Sequence, residues 1–547
     1  MSISLSMLKS GICIILYWII TMSIQAQAVY YVSTSGDDLQ EGTSASKAWR
    51  NIQRAADILL PGDTVFIMAG TYTEDVVMAN DGAPEAYITY QRFGNEQVIL
   101  TRDFKITKDY ITVRGLELSG SSLWIDGNYD RILDNFIHHS AVCGMFIHGT
   151  YNLIRGNRIA NNGSLWCNQI STGWGSGDIH HIVFEYNEVS DEEGQGEDLM
   201  QYLSHDFVVR GNVFHHLGNN GRHNDVYQSG GGEYNIWMIN NRFEHLNGVQ
   251  YFQGGDGDYD HIWRGNLFFG NIGWGFNGTT AGMRVINNTF SLTGPSGGEN
   301  GNWGVGGVGK AQNNIFSPAG SDGHGGDVDF NCISPAPCCS SQGPNDLWDI
   351  DPEFTNPAEY NFHLQSTSPC IDAGTFPART TEAGSGIHIP VTDAKIFIDG
   401  FGITHGDSIQ LEGQAQLVEI TGIDYASNVI TVSQHLSWEA GAGISSAYSG
   451  AAPDIGSFEF EPLVSGTDIL SDTEGFALYP NPASDVLHVH MDKGKLQRIE
   501  IFNYLGIMVR QETSREAAVF DIADLPTGVY FVRCDNSNLP VQRFVKS

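Results

Sequence analysis

The chain has 547 residues, 41% of them hydrophobic and 11% aromatic, which describes a globular protein of several domains and excludes a disordered one. Its 63 acidic residues against 28 lysines and arginines leave a formal charge of −35. Such a surface repels phosphate backbones and anionic lipid heads, which excludes nucleic acid and membrane surfaces as partners. It also argues against an anionic substrate unless cations or a local basic patch intervene.

Lys9, the apolar run Ile12 to Ile24 and the small-residue end Gln25-Ala26-Gln27-Ala28 read as a secretory signal, residues 1–28, cut after Ala28. The apolar run is too short to span a membrane. Of the eight cysteines, Cys13 leaves with the signal. Cys143 and Cys167 follow successive corners of the pattern described below, and Cys332, Cys338 and Cys339 crowd one loop. Export permits disulfides, but the spacings fix no pairing and match no standard zinc site.

From Ser46 to Leu60 the residues Trp49, Ile52, Ala55, Ala56 and Leu59 recur at helical spacing, and Pro61-Gly62 ends the segment. A strand and turn, GDTVFIMAGTYTE, follow. Then from Tyr129 to Phe316 one phrase keeps returning: ILDNFI, LIRGNRI, FEYNEV, VVRGNVF, WMINNRF, IWRGNLF, VINNTF, AQNNIF. Its pivots are Asn135, Asn157, Asn187, Asn212, Asn241, Asn266, Asn288 and Asn314, a period of roughly 22 to 30 residues. Each unit reads as strand, tight corner, strand, and is too short to bury its own apolar face. Stacked units bury a continuous core and pair each strand with the coils above and below. The predicted fold is all-β, a parallel β-helix spanning 29–460, with the helical segment 46–60 capping its open end. Period, corner asparagines and mixed Val/Ile/Phe strands resemble the right-handed parallel β-helix of the pectate-lyase-like superfamily. That resemblance implies a polysaccharide as substrate without naming the reaction.

Arg114, Arg155, Arg210 and Arg264 take the same place before their corners, with Glu185 between two of them, which predicts an ion-paired ladder on the outside. The pairs His138-His139 and His215-His216, with His245, recur after the corners and read as stacked or solvated rather than metal-bound. Beyond Phe316 the pattern decays. Residues 386–447 alternate in strand fashion around Gly and Asn turns, a small β-module inserted before a closing coil, APDIGSFEF.

Past a linker at 461–472, the segment 473–547 reads as a compact β-sandwich. Through Tyr479-Pro480-Asn481-Pro482, Asn503-Tyr504-Leu505-Gly506 and Leu525-Pro526-Thr527-Gly528-Val529-Tyr530 it resembles the C-terminal sorting domain of the type IX secretion system. The resemblance implies a Bacteroidetes-type protein, delivered by that machinery to the cell surface or released.

Aligning coils on their asparagines superposes Asp198-Leu-Met-Gln201, Asp225-Val-Tyr-Gln228 and Gln250-Tyr-Phe-Gln253, followed by Trp274-Gly-Phe-Asn277. With Leu199, Val226 and Tyr251 pointing inward, alternation sends Asp198, Asp225 and Gln250 outward, joined by Met200, Tyr227 and Phe252 and by His223. Gln201, Gln228 and Gln253 then form an internal amide ladder. The strip reads as a sugar groove. Asp198 and Asp225 are the reactive carboxylates, roughly 4.8 Å apart on adjacent coils and so raising each other's pKa. His223 assists proton transfer, and Arg222, Tyr227, Gln250, Phe252 and Trp274 hold the substrate. Paired carboxylates suit glycoside hydrolysis. The alternative is a polysaccharide lyase acting on a uronate, which needs a base and a positive charge; between residues 75 and 330 the lysines are Lys105, Lys108 and Lys310. A second alternative is a surface adhesin that binds polysaccharide without cleaving it. The chain is expected to work as a monomer without a required cofactor, with Asp198 and Asp225 as ligands if calcium is bound.

Overall fold

The structure is a computed structural model. It describes residues 27–460, except 95, 164–167, 174–177, 195–197, 218–224, 247–249, 271–273, 278–279, 293–308, 318–326 and 335–341, together with the strands of the tail from Phe476 onward. The signal segment up to residue 26 and the linker lie outside the described residues.

Each coil contributes a strand to three parallel sheets. Sheet 1, thirteen-stranded, holds Ile111–Arg114, Arg131–Leu133 and Leu153–Arg155; sheet 2, also thirteen-stranded, holds Glu117–Ser119, Phe136–His138 and Arg158–Ala160; sheet 3, nine-stranded, holds Phe104–Ile106, Leu123–Ile125, Met145–Ile147 and Ile170–Ser171. Successive coils pair in register, save for one bulge between Glu188–Asp191 and Val213–Leu217 in sheet 2: Ile132 opposes Ile154 in sheet 1 and Ile137 opposes Ile159 in sheet 2. Like therefore stacks on like. Inside sheet 2, Phe214, Phe243, Phe268, Phe290 and Phe316 form a column with ring centroids 4.5 to 5.0 Å apart.

The pivot asparagines occupy the corner between sheets 1 and 2. Asn157 shows the pattern: its side-chain oxygen accepts from the backbone N–H of Asn135 at 2.9 Å, and its amide donates to the Ile132 carbonyl at 2.9 Å. The ladder runs on through Asn187, Asn212, Asn241, Asn266, Asn288 and Asn314 to Asn331. The residue before each pivot turns the chain with a positive φ, which explains the alternation of Gly156, Gly211 and Gly265 with Asp134, Asn240, Asn287 and Asn313 there.

The capping helix is shorter than its periodicity suggests, spanning Ile52–Ile58. Trp49 instead bridges to Val32 in extended backbone, and Glu74 accepts from the N–H of Ile52 at 2.6 Å in place of an N-cap side chain.

The ladder of arginines is not an outer surface. A six-stranded antiparallel sheet from the segments Ala378–Arg379, Gly384–Pro390, Ser408–Leu411, Leu417–Asp424, Val429–Trp438 and Gly443–Ser445 sits beside sheet 1. Trp237 donates from its indole nitrogen to the Lys395 carbonyl at 2.7 Å, and Arg264 reaches Asp407 at 2.6 Å. Glu185, wholly buried, lies between Arg155 and Arg210. Sheet 1 is therefore covered on both faces over these coils, with Val208, Trp237, Ile239 and Ile262 packing against Ile398.

Candidate functional site

Sheet 3 supplies the open face. Leu123, Ile125, Met145 and Ile147 are fully buried, so the residues between them, Trp124 and Phe146, project outward. Register carries the outward column from Lys105 through Trp124, Phe146, Ser171, Gln201 and Gln228 to Gln253.

This places the predicted strip one residue out of phase. Met200, Tyr227 and Phe252 belong to the inward column, in register with Met145 and Ile170, and are buried. The Tyr227 hydroxyl donates inward to Glu233, and its ring stacks on Phe252 with centroids 5.2 Å apart. Neither aromatic meets a ligand on the outer face. Leu199 and Val226 are buried too, although alternation puts them on the opposite side of their strands from Met200 and Tyr227. Gln201, Gln228 and Gln253 share that outward side, with Gln201 itself buried and donating to the Gln228 side chain at 2.8 Å. Apolar residues on both sides of each inward position mislead an alternation argument, because a slip of one exchanges every face.

Asp198 and Asp225 are brought together but not exposed: their residual accessibilities are 1% and 0%. Asp198 accepts the Asp225 backbone N–H at 2.7 Å and the Gln201 amide at 2.5 Å. Burial first, and then the charge of Asp198, push the Asp225 carboxyl up to about 9, so it is neutral where its neighbour can be charged. Calcium takes about six to eight oxygen ligands. Asp198 and Asp225 are two carboxylates toward such a set, and residues 195–197 and 218–224 beside them lie outside the described residues. His223 and Arg222 lie outside the described residues, as do the side chains of Gln250 and Trp274.

A different group stands on the open face. The Lys105 ammonium lies 5.4 Å from the Trp124 ring centroid and 3.8 Å from Asp103. Trp124 stacks on Phe146 at 4.0 Å, and one coil along His148 Nδ1 meets Asp126 Oδ1 at 2.8 Å. His148 is also edge-on to Trp124 at 5.9 Å. A carboxylate that fixes one ring nitrogen leaves the other turned to solvent as a base or acid. Lys105 and His148 beside Asp103 and Asp126 make a locally balanced patch on a chain of net charge −35. The stacked, half-buried rings form an apolar ridge between a cation and an imidazole. The signal was faint: FKI alternates around Lys105, but LWI and MFI are apolar throughout, and only their alignment on FKI places Trp124 and Phe146 on its outward side.

Residues 477–547 match the secretion system C-terminal sorting domain. The chain is thus addressed to the cell surface or the exterior through type IX secretion. Among the described residues no helix is long and apolar enough to cross a membrane. The chain is 22% identical over 404 residues to pectate lyase L of Dickeya dadantii, covering 67% of this chain and 90% of that protein. It is 33% identical over 82 residues to the uncharacterized protein YwoF of Bacillus subtilis, covering 15% of this chain and only 17% of that one. Among solved structures it is similar to pectate lyase Pel9A, at 16% identity and a TM-score of 0.43 over 80% of this chain and 98% of that one.

Proposed function

We propose that this chain is a secreted carbohydrate-active enzyme that cleaves a uronate-containing polysaccharide by β-elimination on the outer face of sheet 3. The observation that carries the reading is the juxtaposition of Lys105 and the Asp126-oriented His148 on either side of the Trp124 and Phe146 ridge. Elimination requires a base for the proton next to the uronate carboxylate and a cation for the charge that develops there. His148 takes the proton, Lys105 stabilises the enolate-like intermediate, and the bond to the leaving oxygen breaks as that oxygen takes a proton from the imidazolium or from water, giving an unsaturated sugar end and a new hydroxyl end. Similarity to pectate lyase L over most of that protein's length supports the reaction class.

Hydrolysis by Asp198 and Asp225 is the second reading, favoured by the unequal charging of the pair. Their burial weighs against it, since a general acid must reach the glycosidic oxygen. The purified secreted protein should release products absorbing in the ultraviolet from at least one uronate polysaccharide. H148A should lower that rate by roughly 10²-fold or more, while D225N retains it. Saturated ends, lost in D225N and kept in H148A, would replace the lyase reading with the hydrolase one. Binding without new chain ends would leave a polysaccharide-binding surface protein.

A further inference from the structure

The histidine pairs that recur after the corners are not equivalent. In each of His138-His139, His180-His181 and His215-His216 the two Nδ1 atoms face one another, at 2.6, 2.8 and 2.6 Å. Glu117 and Glu193 meet the outer nitrogens of the first pair at 3.1 Å each, whereas among the described residues only the third pair is grouped with a carboxylate so that all three residues could share one ion. Ligand atoms of Glu192, His215 and His216 all lie within 4.8 Å of one another.

The backbone builds this convergence. The strand Glu188–Asp191 pairs with Val213–Leu217 so that Ser190 opposes His215 but Asp191 opposes Leu217, leaving His216 as the extra residue of a bulge. His216 has a φ of 52°. His139 and His181 share the positive φ and the facing imidazoles; what the bulge adds at His216 is a local re-aiming of the strand end next to the turn that carries Glu192.

The outer partners favour ligation as well. His215 Nε2 lies 3.0 Å from Glu188 Oε1. A carboxylate accepts and cannot donate, so the proton sits on Nε2 and the Nδ1 lone pair points at the pair's common centre. A carboxylate holding the far nitrogen of a ligating imidazole is the usual second layer of a metal site. His216 and Glu192 are exposed, which leaves a route of entry, and His245 closes the other side of His216 with ring centroids 5.3 Å apart.

We propose that Glu192, His215 and His216 bind a divalent transition cation of the zinc type, with a fourth position open to water. Two imidazole nitrogens and one carboxylate are a donor set for zinc, cobalt, nickel or copper rather than for calcium. Entry of the ion replaces the proton shared between the two Nδ1 atoms and widens their separation to about 3.3 Å, the edge of a tetrahedron with bonds of roughly 2.0–2.1 Å. The site links two successive coils of sheet 2 and is independent of the proposed elimination chemistry.

The test uses untagged, full-length protein stripped with a chelator and titrated with zinc against a chromogenic competitor. A parallel cobalt titration is read by its visible absorption. One equivalent should bind with a four-coordinate cobalt spectrum, and H216A and E192Q, both changes at exposed positions, should each weaken zinc at least tenfold. H181A, in a pair that belongs to no such three-residue group, should leave affinity unchanged. Absence of binding, or affinity and spectrum unaltered in both H216A and E192Q, would overturn the assignment.

Discussion

At the scale of single residues, the burial of Asp225 has a consequence independent of any reaction. Its carboxyl titrates near 9 in the folded chain and near the ordinary carboxylate value of about 4 when unfolded. Between those values the folded state binds the extra proton. The stability associated with this group is therefore fully present below about pH 4 and is lost as pH rises toward 9. D225N removes the titration without changing shape. Urea unfolding at pH 5 and at pH 8 should show the variant gaining on the wild type as pH rises, and parallel pH slopes for the two proteins would show that the carboxyl is ionised in the fold. The same residue marks the limit of reading the sequence. The closeness of Asp198 and Asp225 followed from aligning the corner asparagines, but their facing did not. Leu199, Met200, Val226 and Tyr227 are all buried, so apolarity alone cannot say which of each neighbouring pair points inward. The strands Leu123–Ile125 and Met145–Ile147 are apolar throughout as well, and only Lys105 in the preceding coil, with the register that aligns it on Trp124 and Phe146, marks their outward side.

Among elements, the relation of sheet 1 to the inserted module governs the ion pairs. The order Arg155, Glu185, Arg210 across three coils was legible because each stands at the same distance from its asparagine. That the ladder is covered was not, since contacts such as Arg210 with the His405 carbonyl and Arg155 with Thr404 cross nearly two hundred residues or more of sequence. Covering changes the energetics. Burial disfavours the charge of Glu185, but the guanidiniums of Arg210 and Arg155 outweigh it and hold the carboxyl below its ordinary value. A depressed carboxylate contributes stability above its unfolded pKa and loses it as pH falls through the folded value, so the module's attachment weakens in acid. E185Q leaves two guanidiniums without their counter-charge. Breaking a buried pair in this way costs about 3–5 kcal/mol, measurable as a drop in the urea midpoint at pH 7, and a change under about 1 kcal/mol would place the pair among weak surface bridges.

For the whole molecule, the repeat solved the long-range problem locally: one phrase per coil specified sheets of nine and thirteen strands, because every coil meets only its neighbours. The tail obeys a different logic. Ala483, Leu487, Val489, Ile499, Ile501, Phe520, Val532 and Phe544 form their own buried cluster, apart from the one that runs along the solenoid. Its strands Phe476–Tyr479, Val486–Met491 and Ala517–Asp521 pair antiparallel with one another and not with the coils. A segment with a separate core and separate hydrogen-bonded strands can be removed without opening a cavity in the helix, so cutting before residue 473 should leave the thermal midpoint and chain cleavage of the remainder unchanged. The sorting signal, however, is the match at 477–547, and without it the cell should retain the truncated protein instead of delivering it to the surface or the medium. Fractionation of cells carrying each form checks both halves of this prediction. Normal surface delivery of the truncated chain would move the address elsewhere in the sequence, while loss of folding on truncation would mean that the tail supports the solenoid as well as routing it.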